Sequence, residues 1–183
     1  MALVVIIGGA RSGKSDVAEA LARQRQQLGE PVCYAVFENS AGTPPLSGRR
    51  DAQRPEGFTP LAATEREDWV AGASEDGLLL LDSLGAAVAL VMGSRMDAER
   101  TELHQATGRL VERILSREGD TIVVAEQMEA GYAREPVDEQ VYRDLLGGAT
   151  RLLVSASDAS YLCVAGRLLE LDRLPGELSW PED

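Results

Sequence analysis

Residues 2–7, ALVVII, form a continuous apolar run rich in β-branched side chains. A strand covered on both faces of a parallel sheet has that composition, because neither face meets water. VCYAVF at 32–37, LLLLD at 78–82 and TIVVA at 121–125 read the same way. SYLCVA at 160–165 and LLEL at 168–171 predict two short strands near the end. Between these runs the apolar positions recur at helical spacing. Val17, Ala18, Leu21 and Leu28 predict a helix from Gly13 to Leu28, with Gly29 placed to end it. SLGAAVALVM predicts a buried helix that starts near Asp82 or Ser83. Residues 97–117 predict an amphipathic helix whose stripe is Leu103, Ala106, Leu110, Val111, Ile114 and Leu115. Residues 138–154 predict another, with Val141, Leu145 and Leu152 inward, although Gly147 and Gly148 weaken it. Alternating strands and helices imply an α/β fold with a mainly parallel sheet.

Residues 38–60 break the pattern. They hold four of the eight prolines and no sustained period, which predicts a long, irregular, mobile loop. The tail 174–183 is predicted to fray, leaving residues 1–173 as a single domain.

The chemistry sits in the first turn. GGARSGKS, Gly8 to Ser15, satisfies the phosphate-loop pattern G-x-x-x-x-G-K-[ST] between a buried strand and a helix. The glycines allow a tight turn around an anion. The N–H groups of Gly8, Gly9, Ala10, Arg11, Ser12, Gly13, Lys14 and Ser15 then form the candidate phosphate cradle, at a helix end whose dipole favours negative charge. Lys14 is placed to reach the β- and γ-phosphates and Ser15 to ligate Mg²⁺. The fold class sharpens accordingly to a P-loop NTPase-like one, with GTP or ATP and Mg²⁺ as the expected ligands. Lys14 is also the only lysine among 18 basic residues. A chain that otherwise uses arginine keeps a compact ammonium where a planar guanidinium would not fit in the same way. Asp82 ends a buried strand, so it is either a second Mg²⁺ ligand or a cap for the helix that follows.

Composition narrows the partners. A net charge of −12 argues against nucleic acid or an anionic membrane as a broad-surface partner. The apolar runs fall well short of the ~18 residues that a membrane span needs. The first strand leads straight into the loop with no basic region before it, unlike a signal peptide. Cys33 and Cys163 lie in strand-like runs without metal-ligand spacing and read as buried free thiols of a cytoplasmic protein.

GGARSGKS resembles the opening of the cobinamide kinase/cobinamide-phosphate guanylyltransferase family. The resemblance runs on through PVCYAV, LLLLDSLGAAVALVM and YRDLLGGATRLLVSASDASYLCVAGRLLEL, the last including Asp158 and the turn Val164-Ala165-Gly166. It implies a P-loop enzyme of cobalamin biosynthesis, often a homotrimer. Such an enzyme phosphorylates a corrinoid (cobinamide-type) alcohol and then transfers GMP to that phosphate through a guanylylated histidine.

The chain departs from the family in three places. The family's R-I-x-x-H followed by R-P corresponds to GRRDAQRPEGF here. Arg54-Pro55 matches the R-P, but Arg50 stands near the place of the histidine, and a guanidinium held protonated near neutral pH cannot form a phosphoramidate. The D-x-E-M pattern is replaced by ENSAGTPPLS, and N-E-V-G-x-G by EQMEAG, where only Gly131 clearly survives. The one histidine, His104, reads as a helix-surface residue. The expectation is therefore a kinase step without GMP transfer. Glu126 or Glu129 at a strand's C-terminal end is the candidate for orienting an acceptor hydroxyl. Arg49, Arg50 and Arg54 are candidate phosphate clamps. The alternative is a non-catalytic nucleotide-binding partner subunit derived from such an enzyme.

Overall fold

In the computed structural model, residues 1–37, 56–64, 66–95, 98–127 and 137–171 are described. Seven strands form one sheet: β1 (Leu3–Gly8), β2 (Val32–Phe37), β3 (Thr59–Ala63), β4 (Leu78–Asp82), β5 (Thr121–Glu126), β6 (Ala159–Val164) and β7 (Arg167–Glu170). Their order across the sheet is β3-β2-β4-β5-β1-β6-β7. All neighbouring pairs are parallel except the terminal β6–β7 hairpin. The helices are α1 (Lys14–Gln27), α2 (Leu84–Gly93), α3 (Arg100–Leu115) and α4 (Val137–Ala156), with a 3₁₀ helix at Glu67–Gly72.

The continuous apolar strands are continuous because both faces are covered. Alternate residues of β1, β4 and β5 divide between two cores. Leu3, Val5, Leu79, Leu81, Val123 and Ala125 pack with α2, α3 and α4. Ile6, Leu78, Leu80, Ile122 and Val124 pack with Ala18 and Ala22 of α1 on the opposite face. All five residues of β4 are buried, Asp82 included. Each fully buried leucine contributes about 1.5–3 kcal/mol, which makes β4 and α2 the anchor of the larger core.

The helix ends follow the local chemistry. Beyond α1, Gly29 adopts φ 94°. Its N–H donates to Gln26 O and that of Glu30 to Arg25 O, the paired closure that a C′ glycine permits. Leu28 lies at this cap and is 76% exposed, so it is not part of the helix's buried stripe; Ala22 is. In α4 the inward residue is Leu153, fully buried, while Leu152 is 50% exposed. A stripe stepping by four from Val141 through Leu145 and Ala149 reaches 153, and the three-residue step that would favour 152 is not used. In α3, Leu103, Ala106, Leu110, Val111 and Ile114 are buried as expected, and Leu115 is partly buried. The helix begins at Arg100 and ends at Leu115, inside the predicted 97–117; Asp97 lies outside the described residues.

Two elements were not expected. Residues 59 and 60, assigned to the irregular loop, open edge strand β3, and the 3₁₀ helix follows. Its Trp69 stacks edge-on against Phe37, with ring centroids 5.9 Å apart. Residues 38–55 of that loop, and the tail, lie outside the described residues. Cys163 is buried, but Cys33 only partly so; both are free thiols.

The N-terminal end of the sheet is pinned by charged groups. Arg117 is 7% exposed. It donates to the carbonyls of Ser74, Gly77 and Asp120 and to Thr121 Oγ1. Asp120 accepts from Ala2 N–H at 2.7 Å and pairs with Arg25. Asp158 accepts from Leu3 N–H at 2.8 Å. Asp158 thus holds β1 beside β6 at the end of the sheet opposite the glycine-rich loop. Among the described residues, no helix is long and apolar enough to cross a membrane.

Candidate functional site

β1 ends at Gly8 and the chain turns through 9–13 into α1, so the glycine-rich loop lies at the C-terminal edge of the parallel sheet. Ligands of open α/β sheets bind at that edge. Arg11 takes φ 57° and Gly13 φ 91°. These left-handed residues curl the backbone immediately before the N-terminus of α1, the conformation in which successive N–H groups converge on an anion. Asp16 adds the acidic side chain that suits a first helical turn.

The loop is held from both sides. Lys14 Nζ donates to Gly9 O at 3.2 Å and Ser12 N–H to the same carbonyl at 3.3 Å. On the β6–β7 side, Gly166 N–H donates to Ser12 O at 2.7 Å and Cys163 Sγ to the same oxygen at 3.3 Å. A Cβ on Gly8 would fall 2.5 Å from Ser12 Oγ and 2.7 Å from Cys163 O. One on Gly13 would fall 3.0 Å from the Gly166 Cα. Gly8 is therefore required by contact alone, and Gly13 by contact as well as by backbone angle. Ser12 Oγ is buried without a hydrogen-bond partner.

On the β4–β5 side, Ser15 Oγ donates to Asp82 Oδ1 at 3.2 Å. Asp82 is 7% exposed, and a carboxylate at that depth needs polar partners. The peptide after it is cis. Ser83, not Asp82, caps α2: Ala86 N–H donates to Ser83 Oγ at 3.3 Å. One hydroxyl and one carboxylate make a hard oxygen pair, the donor chemistry suited to Mg²⁺, which keeps waters and phosphate oxygens for its remaining positions. Among the described residues no cluster of three or more His, Cys, Asp or Glu forms a protein-only metal cage.

Glu126 sits at the end of β5, in register with Gly8 of β1. Its Oε2 accepts from Gly85 N–H at 3.1 Å, in the first turn of α2. A Cβ on Gly85 would lie 2.5 Å from that oxygen and 2.6 Å from the Tyr142 hydroxyl. The carboxylate and the phenol thus share the space left by a missing side chain. Burial, and secondly the charge of Glu126, push the Tyr142 phenol up to about 12, so it remains a neutral donor beside the carboxylate.

The structure therefore brings Gly8 through Ser15, Asp82 and Glu126 to one edge of the sheet. His104 is exposed on α3 and is remote in sequence from every loop residue. Arg49, Arg50, Arg54, Glu129 and Gly131 lie outside the described residues. Gly85, Tyr142 and the Cys163–Gly166 contacts were missed, because each joins segments 16 to 155 positions apart and leaves no local pattern. The V-x-G turn was the one signal available for the last.

A family model described as cobinamide kinase / cobinamide phosphate guanyltransferase matches residues 4–171. Among solved structures, the chain is similar to a KaiC-like protein from the hyperthermophilic archaeon Pyrococcus horikoshii OT3. The TM-score is 0.52 at 15% identity, over 88% of this chain and 70% of that one. At that identity the likeness is one of fold, and the fold is that of a P-loop NTPase. No curated protein matches the chain.

Proposed function

The chain belongs to the cobinamide kinase / cobinamide phosphate guanyltransferase family, and from that premise we propose that it is a Mg²⁺-dependent kinase of a cobinamide-type alcohol, without GMP transfer. The observation that carries the kinase step is the 3.2 Å contact between Ser15 Oγ and Asp82 Oδ1 beside the glycine-rich loop. Phosphoryl transfer needs positioned charge more than covalent chemistry. In this reading the loop N–H groups and Lys14 hold GTP or ATP through its phosphates. Ser15 and Asp82 hold Mg²⁺, which neutralises charge on the transferred group. Glu126, fixed by the Gly85 N–H, orients the acceptor hydroxyl and accepts its proton. Arg50 and Arg54 supply cations to the phosphates from the segment after β2. The family resemblance adds homotrimeric assembly to this proposal.

GMP transfer through a histidine needs an imidazole at the site. The chain has one histidine, and it sits exposed on α3. That same observation favours a second reading, in which the protein binds nucleotide but turns nothing over and serves a partner enzyme.

One assay separates the two. The protein is incubated with Mg-ATP or Mg-GTP and adenosylcobinamide, and phosphorylated corrinoid is followed alongside calorimetric binding of nucleotide. Product that falls by about 10²-fold or more in Lys14→Ala supports the kinase. Binding without product supports the partner subunit. No binding at millimolar nucleotide overturns both.

A further inference from the structure

A triphosphate has two distinct ends, and the site treats them differently. β1 has two neighbours in the sheet, β5 and β6. Asp82 and Glu126 both lie on the β5 side, and the Ser15–Asp82 contact places the metal donors there. In the nucleotide-binding reading on which this inference rests, the terminal phosphate with its Mg²⁺ points to that side. The phosphate chain must then run back along the loop, and the nucleoside leaves it on the β6 side.

What stands on that side is the β6–β7 hairpin turn. It is fastened to the loop by Gly166 N–H on Ser12 O at 2.7 Å and by the close approach of Gly13 to Gly166. Ala165 and Gly166 take φ 50° and 74°, both positive, as a two-residue turn matched to strand twist requires. Val164 and Arg167 pair across its base. All four residues are exposed, and Val164 is 52% exposed at the end of a strand whose preceding residue, Cys163, is buried. The hairpin thus presents an apolar and cationic rim, rigidly registered to the phosphate loop, on the side where a nucleoside would emerge. We propose that the turn Val164–Arg167 is the nucleoside-contacting wall of the site, with Val164 and Ala165 packing against base or ribose.

The test compares a ligand that has a nucleoside with one that lacks it. Wild-type protein and the double variant Val164→Ser, Ala165→Asn are titrated calorimetrically with Mg-GTP, Mg-ATP and Mg-tripolyphosphate. Asn accepts positive φ more readily than most residues, and both positions are exposed, so the turn is kept; Val164→Thr serves as the near-isosteric second variant. The expected result is that wild type prefers one nucleotide over tripolyphosphate. The double variant should lose about tenfold in affinity for that nucleotide and stay within about twofold for tripolyphosphate. Equal wild-type affinity for all three ligands overturns the inference while leaving phosphate binding intact. So does parallel weakening of nucleotide and tripolyphosphate, or no weakening of either. Wild-type protein that binds none of the three overturns the nucleotide-binding reading and this inference with it.

Discussion

The two adjacent glycines of the loop, Gly8 and Gly9, should respond to alanine with opposite signs. Neither is among the positive-φ glycines, so the backbone of both accepts an L side chain, and space alone decides. At Gly8 the added Cβ would lie 2.5 Å from Ser12 Oγ and 2.7 Å from Cys163 O. The serine hydroxyl can rotate away, but the carbonyl belongs to β6, whose Cys163 is in register with Gly8. The strand pair must open or the loop must tilt. Forcing a methyl group into a packed site costs about 1–3 kcal/mol. For a chain of this length that lowers Tm by roughly 2–12 °C. At Gly9 the added Cβ meets nothing within 4 Å. There the change mainly reduces the freedom of the unfolded chain and stabilises by about 0.4–1 kcal/mol. Urea denaturation of the nucleotide-free protein, followed by circular dichroism, reads both at once. Equal destabilisation by Gly8→Ala and Gly9→Ala would refute the steric account of why the first glycine of the motif is glycine.

Three further outcomes follow from contacts already described. Arg117→Ala removes a 7% exposed side chain that serves three carbonyls and a hydroxyl. It should cost about 3 kcal/mol in denaturant unfolding, and a loss under 0.5 kcal/mol would sink the pinning role. The fold favours the neutral Tyr142 phenol, so its contribution is full below the ordinary value of 10.0 and is lost as pH rises through about 12. After discounting for its partial exposure, wild type should lose about 1 kcal/mol more than Tyr142→Phe between these limits. An identical pH profile for the two proteins counts against the shift. Asp82→Asn keeps the shape of a buried side chain but removes its charge. Nucleotide affinity measured with Mg²⁺ should fall about tenfold, while affinity in chelator should not fall; an unchanged Mg²⁺ dependence would exclude Asp82 from the metal site.

What could be read from sequence divides along a physical line. β1, β2, β4 and β5 were legible because a strand buried on both faces has to be apolar throughout, and the run itself states the burial. β3 was not, because TPLAA is an edge strand. It needs ladder partners on one side only, tolerates Pro60, and leaves Thr59 and Pro60 exposed, so nothing in its pattern separates it from the loop before it. Leu152 and Leu153 failed for a subtler reason. Both are consistent with a helical stripe, and the tie is broken by α3 and α2 packing on α4, which no window of α4 contains. The site divides the same way. Gly8 through Ser15 is one contiguous string whose chemistry is set by its own backbone, and Asp82 announces itself by ending an apolar strand. The partners that fix those residues come from elsewhere: Gly85 for Glu126, with Tyr142 close beside it, and Cys163 and Gly166 for the loop. Each was invisible locally because a glycine gives no sign of which neighbour occupies its missing side chain. Gly85 shows this most clearly. It lies in the first turn of α2, and the space it leaves is shared by a carboxylate and a phenol from distant segments. Glycines that shape a candidate site are therefore best sought as positions where a Cβ would strike a polar group from a distant segment.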